Sequence, residues 1–544
     1  MLTGADLVVQ ALEDAGVEVA FGLPGVHNLA LWRALGDSPI RLVGVRHEQT
    51  AAYAADGYAR AGARLGVAIT TTGPGAANTL GAVGEAWASR SPLLVIATDV
   101  ATSVRRPGVW RGALHEATDQ AAMFEPVVKA TLRVTRAEAL GAVVANGARA
   151  ALTAPQRPVY LEVPTDLLAA AVGEPESAPA GSPPPARLPD ERLAQAAALI
   201  EPARRPLIWA GGGAVQAGAG PALGALAERL VAPVMTTYAG RGLLPPGHPC
   251  LVAAPPHVPE VGALWDEADL VLAVGSDFDG MMTQGWQMPA PQRLLAVNVD
   301  PEDASKAYLP DLVLEADAAR ALPALTERLE PRGGLDALAR RLDDLRAAVR
   351  RGVEADEPAA AEFLASFTSA LPGDAIVVCD MCIPGYWLGG FHNPPAPRKL
   401  LYPLGWGTLG CAFPQALGAA LAGAGPVVSV SGDGGFLYAC GELATLAQER
   451  IPLTAVVVDD GGYGMLRYDQ DRRGDPHLGV DLLSPDFPAM AASFGVRSFA
   501  TDDLGANFGA ALARHIAQEK PSLIAAKAAL KPPPNVSPRW YRNA

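Results

Sequence analysis

Two aspartates and a run of glycines in the last third of the chain could hold a divalent cation against an anionic ligand. Asp433 sits in Gly432-Asp433-Gly434-Gly435, and Asp460 in Asp459-Asp460-Gly461-Gly462-Tyr463-Gly464-Met465. Carboxylates and loop carbonyls are hard oxygen donors that suit Mg2+, which usually completes its octahedron with phosphate oxygens and water. Glycines let backbone N–H groups approach such phosphates closely.

These groups act together only if the fold brings them side by side. Val427 to Ser431 reads as a short buried strand running into the first glycine cluster, Phe436 to Gln448 as a helix, and Leu453 to Val458 as a second strand ending at the second cluster. Two parallel strands joined by one crossover helix place their carboxyl ends together, where open α/β sheets bind ligands. Asp433 and Asp460 are therefore expected to converge. The residues from Arg467 to Asp475 read as a loop.

The whole run from Gly432 to Arg467 resembles the thiamin diphosphate (ThDP) motif of the acetolactate synthase and pyruvate decarboxylase superfamily. That motif opens with GDG and usually closes with two asparagines. The resemblance implies that Asp433, Asp460 and the carbonyl of Gly462 hold Mg2+, and that Gly432, Gly434, Gly435, Tyr463, Gly464 and Met465 line the cofactor. Asp460 departs from the usual Asn, which adds a negative charge but keeps a metal ligand.

The first part of the chain alternates helix and strand, with Thr3 capping a helix from Gly4. Within it GLPGVHN (22–28), RHEQTAAYAADGYAR (46–60) and TTGPGAANTL (71–80) match, in order and spacing, the landmarks of the pyrimidine-binding domain in the same superfamily. The resemblance makes Glu48 the catalytic carboxylate that hydrogen-bonds the aminopyrimidine N1′, with Gly25 and Asn78 beside the cofactor. In Leu404-Gly405-Trp406-Gly407-Thr408-Leu409-Gly410 it places Gly407 and Leu409 at the cofactor, Leu409 being the apolar residue beneath its bend.

The expected fold class is α/β, with three doubly wound parallel-sheet domains. These are a pyrimidine-binding domain over 1–170, a central Rossmann-like domain over 189–330 and a diphosphate-binding domain over 361–530. A Pro-rich stretch from about 171 to 188 reads as an extended linker, 331–360 as a solvated connecting helix, and the tail from Lys531 as extended. Gly211-Gly212-Gly213 after a central strand is weak evidence for a nucleotide. Acetolactate synthases carry G-x-R-F-D-D-R where this chain has Gly275-Ser276-Asp277-Phe278-Asp279-Gly280-Met281, so both arginines are missing. The cofactors implied are thiamin diphosphate and Mg2+, with FAD disfavoured.

A formal net charge of −14 opposes non-specific attraction to nucleic acid or to an anionic membrane. There is no apolar run of membrane-spanning length and no signal-like N-terminus, so a cytoplasmic protein is expected. Five cysteines suit a reducing compartment. Cys379 and Cys382 have CxxC spacing but no second pair nearby, which disfavours a metal or redox role.

The resemblance implies a reaction in which a 2-oxo acid loses CO2 to leave a cofactor-bound enamine, then protonated to an aldehyde or joined to a second carbonyl. Two acceptor-side positions depart from acetolactate synthases: their arginine falls at Met281 and their tryptophan at Asp469. Pyruvate decarboxylases carry Asp where this chain has Val26. The segment Gly112 to Gln120, with GLPGVHN and GDGGFLY, most resembles the 5-guanidino-2-oxopentanoate decarboxylase branch. The leading expectation is thus a 2-oxo acid decarboxylase with His115 as proton donor and His27 in reserve, and with Val26 and Asp469 at the substrate. An acetolactate synthase-type carboligase is the alternative, and the retained Glu48 argues against a non-catalytic homologue. Because the family builds each site from two subunits, a homodimer or homotetramer is expected.

Overall fold

In the computed structural model, which describes residues 1–106, 108–177 and 188–534, apolar β-rich runs form three sheets whose strands are all parallel. The first holds β1 (Val19–Gly22), β2 (Arg41–Gly44), β3 (Gly66–Thr70), β4 (Leu93–Asp99), β5 (Ala130–Arg133) and β6 (Val159–Pro164) in the order β2-β1-β3-β4-β6-β5. The second holds β7 (Pro206–Ala210), β8 (Val234–Thr236), β9 (Leu270–Val274), β10 (Leu294–Asn298) and β11 (Leu312–Glu315) in the order β11-β10-β9-β7-β8. The third holds β12 (Ile376–Cys379), β13 (Leu400–Leu401), β14 (Val427–Gly432), β15 (Leu453–Asp459), β16 (Arg497–Thr501) and β17 (Ser522–Lys527) in the order β13-β12-β14-β15-β17-β16. The fold is the expected α/β class, with three parallel sheets. Central strands such as β4 and β6 are buried along their whole length, as parallel strands covered on both faces must be.

The first and third sheets share one strand order, and corresponding helices tie them together. Glu48–Gly62 follows β2, Ala412–Leu421 follows β13, and the two cross in direct contact. A Cβ added to Gly57 would lie 1.9 Å from the Gln415 carbonyl oxygen, and one added to Gly418 would lie 1.7 Å from that of Ala54. Only glycine permits this approach. Gln415 Nε2 also donates to the buried Asp56 Oδ2 at 2.7 Å.

Two local expectations need correction. The helix expected over Phe436 to Gln448 is broken into Asp433–Leu437, a single turn at Cys440–Glu442, and Leu443–Gln448. The break serves docking on the first domain, because Gln49 Nε2 donates to the Tyr438 carbonyl (3.3 Å) and Glu442 turns inward. The loop expected over Arg467 to Asp475 is instead the helix Gly464–Arg473, closed by Gly474 in the left-handed region. That helix buries no residue, so its sequence has no apolar periodicity to read.

The connecting helix is Leu335–Asp356, with Leu338, Leu342 and Val349 buried. Most of the Pro-rich linker and the last residues of the tail lie outside the described residues. Among the described residues no helix is long and apolar enough to cross a membrane.

Candidate active site

The parallel register Gly432↔Val458 sets the ends of β14 and β15 side by side, with Asp433 and Asp460 just beyond them. Ser484 Oγ bridges the neighbouring acids, 3.1 Å from Asp433 Oδ2 and 2.7 Å from Asp459 Oδ1. Among the described residues, Oδ1 of Asp433 and Oδ1 of Asp460 are buried without a hydrogen-bond partner. Burial, reinforced by Asp433, pushes the Asp460 carboxyl up to about 6 against the opposing pull of Arg467, and burial likewise raises Asp433. Two convergent carboxylates short of counter-charge are a fit for a cation. Among the described residues no three acidic, His or Cys side chains form a ready-made metal site, so such a cation would draw further oxygens from a bound ligand and water.

The surrounding glycines leave room that side chains would fill. A Cβ on Gly464 would lie 2.0 Å from Asp460 Oδ2, one on Gly434 2.6 Å from the Tyr463 ring, and one on Gly462 2.0 Å from the Val480 carbonyl oxygen. Arg467 fixes this turn, donating to the carbonyls of Asp460 (3.2 Å) and Gly461 (3.0 Å) and pairing with Asp481 at 2.9 Å. Met465, two residues earlier, packs partly buried against the core. Sequence reading missed Asp459, Ser484 and Arg467. The acidic doublet was visible, but the serine and arginine act through contacts that spacing does not encode.

Leu409 borders the same cradle, since a Cβ on Gly435 would lie 3.2 Å from Leu409 Cδ1. Its loop bends through Gly407 and Gly410, both at positive φ. Carboxylates hold both neighbours of Leu409. Asp380 accepts the Gly410 N–H at 2.9 Å, and Glu85 accepts the Thr408 hydroxyl at 3.1 Å.

In the first domain the three landmark segments meet around Thr71. A Cβ on Gly25 would lie 2.6 Å from Thr71 Oγ1, and one on Gly75 would lie 2.7 Å from Thr71 Cγ2 and 3.3 Å from Glu48 Oε1. Glu48 is buried at the start of its helix, where His47 caps the Gln49 N–H, and it accepts the Asn78 side-chain N–H at 2.9 Å. Glu442 of the third domain accepts the backbone N–H groups of Arg46 (2.9 Å) and His47 (3.0 Å), anchoring the chain just before Glu48.

His27 and His115 come together edge-on, each with a buried Nδ1 that has no partner among the described residues. Burial, then the proximity of His115, holds the His27 imidazole below its usual range. A Cβ on Gly73 would lie 2.4 Å from the His115 carbonyl oxygen. Gln120, another residue with no role assigned from sequence, fixes this corner by accepting the Gly73 N–H and donating to Thr98 O (2.9 Å) and Tyr160 Oη (2.7 Å). Val26 stands 64% exposed at the rim.

Asp469 lies half-buried on the helix Gly464–Arg473 and forms no ion pair among the described residues. Its neighbours are otherwise engaged, Arg467 with Asp481 and Arg472 over the Tyr468 ring. Burial, with smaller contributions from Cys382, Asp380 and Asp469, holds the Tyr386 phenol above its usual range.

A separate cavity of about 500 Å3 opens where the three domains meet, lined by Gly211 to Gly213, Gly275 to Gly280 and Asn298 at the ends of β7, β9 and β10. On one wall Arg90 pairs with Asp277 (2.8 Å) and Asp303 (2.5 Å), Lys306 pairs with the same two acids, and Arg157 approaches Asp303 at 3.6 Å. Three cations thus share two carboxylates on this wall, and Arg60 and Arg398 also line the cavity.

Three family models cover the chain: the N-terminal TPP-binding domain of thiamine pyrophosphate enzymes over residues 2–123, the central domain over 193–325 and the C-terminal TPP-binding domain over 383–526. The chain is 38% identical over 501 residues to the probable 2-ketoarginine decarboxylase AruI of Pseudomonas aeruginosa, spanning 91% of this chain and 88% of that protein. The chain belongs to the thiamine pyrophosphate enzyme family. This thiamine pyrophosphate enzyme is also 31% identical to a probable acetolactate synthase large subunit of Methanocaldococcus jannaschii (91% and 87% covered) and 31% identical to an acetolactate synthase of Mycobacterium avium (91% and 82% covered). Thiamin diphosphate is its cofactor, and the orphaned carboxylate oxygens and glycine cradle fit the diphosphate end with a cation beside it.

Proposed function

We propose that this enzyme, loaded with thiamin diphosphate and Mg2+, decarboxylates a 2-oxo acid carrying a cationic side chain and releases the aldehyde. The pairing of His27 with His115 carries this reading. Aldehyde release needs a proton delivered inside the site, whereas joining to a second carbonyl needs an acceptor-binding surface. Imidazoles give and take protons near neutral pH. The cationic side chain is supported by Asp469, a half-buried carboxylate without an ion pair, and by the similarity to a probable 2-ketoarginine decarboxylase.

Bound thiamin diphosphate supplies the electron sink that 2-oxo acid decarboxylation requires. The chain does the rest. Asp433, Asp460 and the Gly462 carbonyl would hold Mg2+, and Leu409 would support the cofactor from below. Glu48, whose Oε2 is committed to Asn78, would hold the proton at the aminopyrimidine N1′ through Oε1. His115 would donate the product proton, with His27 as the second candidate. The reading includes a homodimer or homotetramer in which a second subunit completes the site.

The test is incubation of the purified protein with ThDP, Mg2+ and a panel of 2-oxo acids, with mass spectrometry separating aldehydes from 2-hydroxy ketones. Aldehydes from guanidino- or amino-bearing acids in preference to pyruvate are expected. A 2-hydroxy ketone made from pyruvate would overturn the reading in favour of an acetolactate synthase-type carboligase.

A further inference from the structure

Two buried carboxylates from different domains bracket one residue of the cofactor loop. Asp380, at the end of β12, is fully buried and accepts the N–H of Gly410 with both oxygens (2.9 and 3.1 Å) and that of Met381 (2.8 Å). Glu85, on the first-domain helix Leu80–Ala88, is also fully buried. Its Oε2 takes the Thr408 hydroxyl at 3.1 Å and the Thr408 N–H at 3.4 Å, and its Oε1 takes Ser89 Oγ at 3.0 Å. Leu409 lies between the two anchored residues.

The same helix seats the rest of the loop. A Cβ on Gly84 would lie 2.5 Å from the Trp406 ring, so the indole can rest on the helix only where a side chain is missing. A Cβ on Gly405 would come within 3.2 Å of the Ala88 methyl. Three successive contacts, at Gly405, Trp406 and Thr408, thus fasten a third-domain loop to one first-domain helix. Gly407 and Gly410 hold positive φ within this loop. The loop conformation is therefore held by the first-domain helix together with Asp380 of its own domain.

We infer that Glu85 and Asp380 are positioning residues for Leu409, and that Glu85 makes the shape of the third domain's cofactor cradle depend on the first domain of the same chain. The inference rests on Leu409 lying beneath the bound cofactor, a reading carried by its contact with Gly435. Asp380 also borders the diphosphate cradle itself, since a Cβ on Gly435 would lie 2.7 Å from its Oδ2, whereas Glu85 acts through the loop. Carboxyl groups suit the task because their oxygens can accept several donors at once.

The experiment is amide hydrogen–deuterium exchange over residues 404–410 of the full-length protein with ThDP and Mg2+ present, alongside calorimetric ThDP affinity and steady-state kinetics. In Glu85→Ala, exchange at Thr408 and Gly410 should rise about tenfold or more, with kcat falling by a similar factor and KM for the 2-oxo acid nearly unchanged. Glu85→Gln, which keeps an acceptor oxygen, should recover most of both losses. Thr408→Val removes only the hydroxyl and gives the same readout if Glu85→Ala fails to fold. Exchange equal to wild type in both Glu85→Ala and Thr408→Val would overturn the inference. Leu409→Ala separates it from the reading on which it rests. If that variant keeps wild-type ThDP affinity and kcat, Leu409 does not support the cofactor, whatever the exchange data show of the two carboxylates.

Discussion

His27 and His115 stand with ring centroids 5.2 Å apart and ring planes at 83°, although they come from loops after different strands of the first sheet. If His115 delivers the product proton, His115→Ala should lower aldehyde formation by roughly 100-fold or more while CO2 release in the first turnover falls much less. Stopped-flow CO2 detection beside aldehyde quantification makes the comparison. Equal losses in both would assign His115 to an earlier step.

Glu48→Gln should retain ThDP affinity, since the landmark loops around Thr71 do not depend on the charge. Deuterium exchange at the cofactor C2 should collapse, because an amide cannot supply the charge that Glu48 Oε1 offers. NMR of the quenched cofactor reads this directly, and wild-type exchange in the variant would remove Glu48 from the chemistry.

Asp433→Ala should lose the Mg2+-dependent part of ThDP affinity, whereas Asp460→Asn, which relieves a carboxylate facing Asp433, should remain active. Calorimetry with and without Mg2+ tests both. An unchanged isotherm in Asp433→Ala would mean that the cation lies elsewhere.

Asp469→Asn should narrow the preference for guanidino-bearing over uncharged 2-oxo acids by roughly tenfold to 150-fold, the range of a charge-assisted hydrogen bond. The measurement is the ratio of kcat/KM values. A ratio identical to wild type would place the cation-recognising group at another residue.

Burial pushes the Glu85 carboxyl up to about 7 from an unfolded value of 4.5, with Asp56 adding to the rise and Arg60, Ser89 and Thr408 opposing it. A raised carboxyl binds its proton more tightly in the folded chain. Its stabilising contribution is therefore complete below pH 4.5 and is lost as pH climbs through about 7. Glu85→Gln should gain on wild type between pH 5 and 8 by on the order of 3 kcal/mol. Denaturant midpoints across that range measure it, and a constant difference would show that Glu85 stays ionised in the fold throughout.

Much of the fold was legible because buried parallel strands advertise themselves. Val427 to Ser431 and Leu453 to Val458 are runs entered from a proline and leading to a glycine cluster, and β14 and β15 occupy them. The edge strand β16, only partly buried, has no such run. The helix Gly464–Arg473 was unreadable because no face of it is apolar. At the site, residues joined by one loop or one crossover could be grouped from spacing. Glu85 with Thr408, Glu442 with His47, and His27 with His115 could not, because only tertiary packing brings them together.

The crossing of Glu48–Gly62 with Ala412–Leu421 also orders events in time. Domains fold as they leave the ribosome, N-terminal first, at about 5–20 residues per second. The helix that begins with Glu48 therefore waits roughly 20–70 s for the segment that covers it. During that interval Gly57 and its neighbouring alanines form a bare, narrow face open to any nascent chain that can match it. A truncation ending before residue 412 would leave that face uncovered for good.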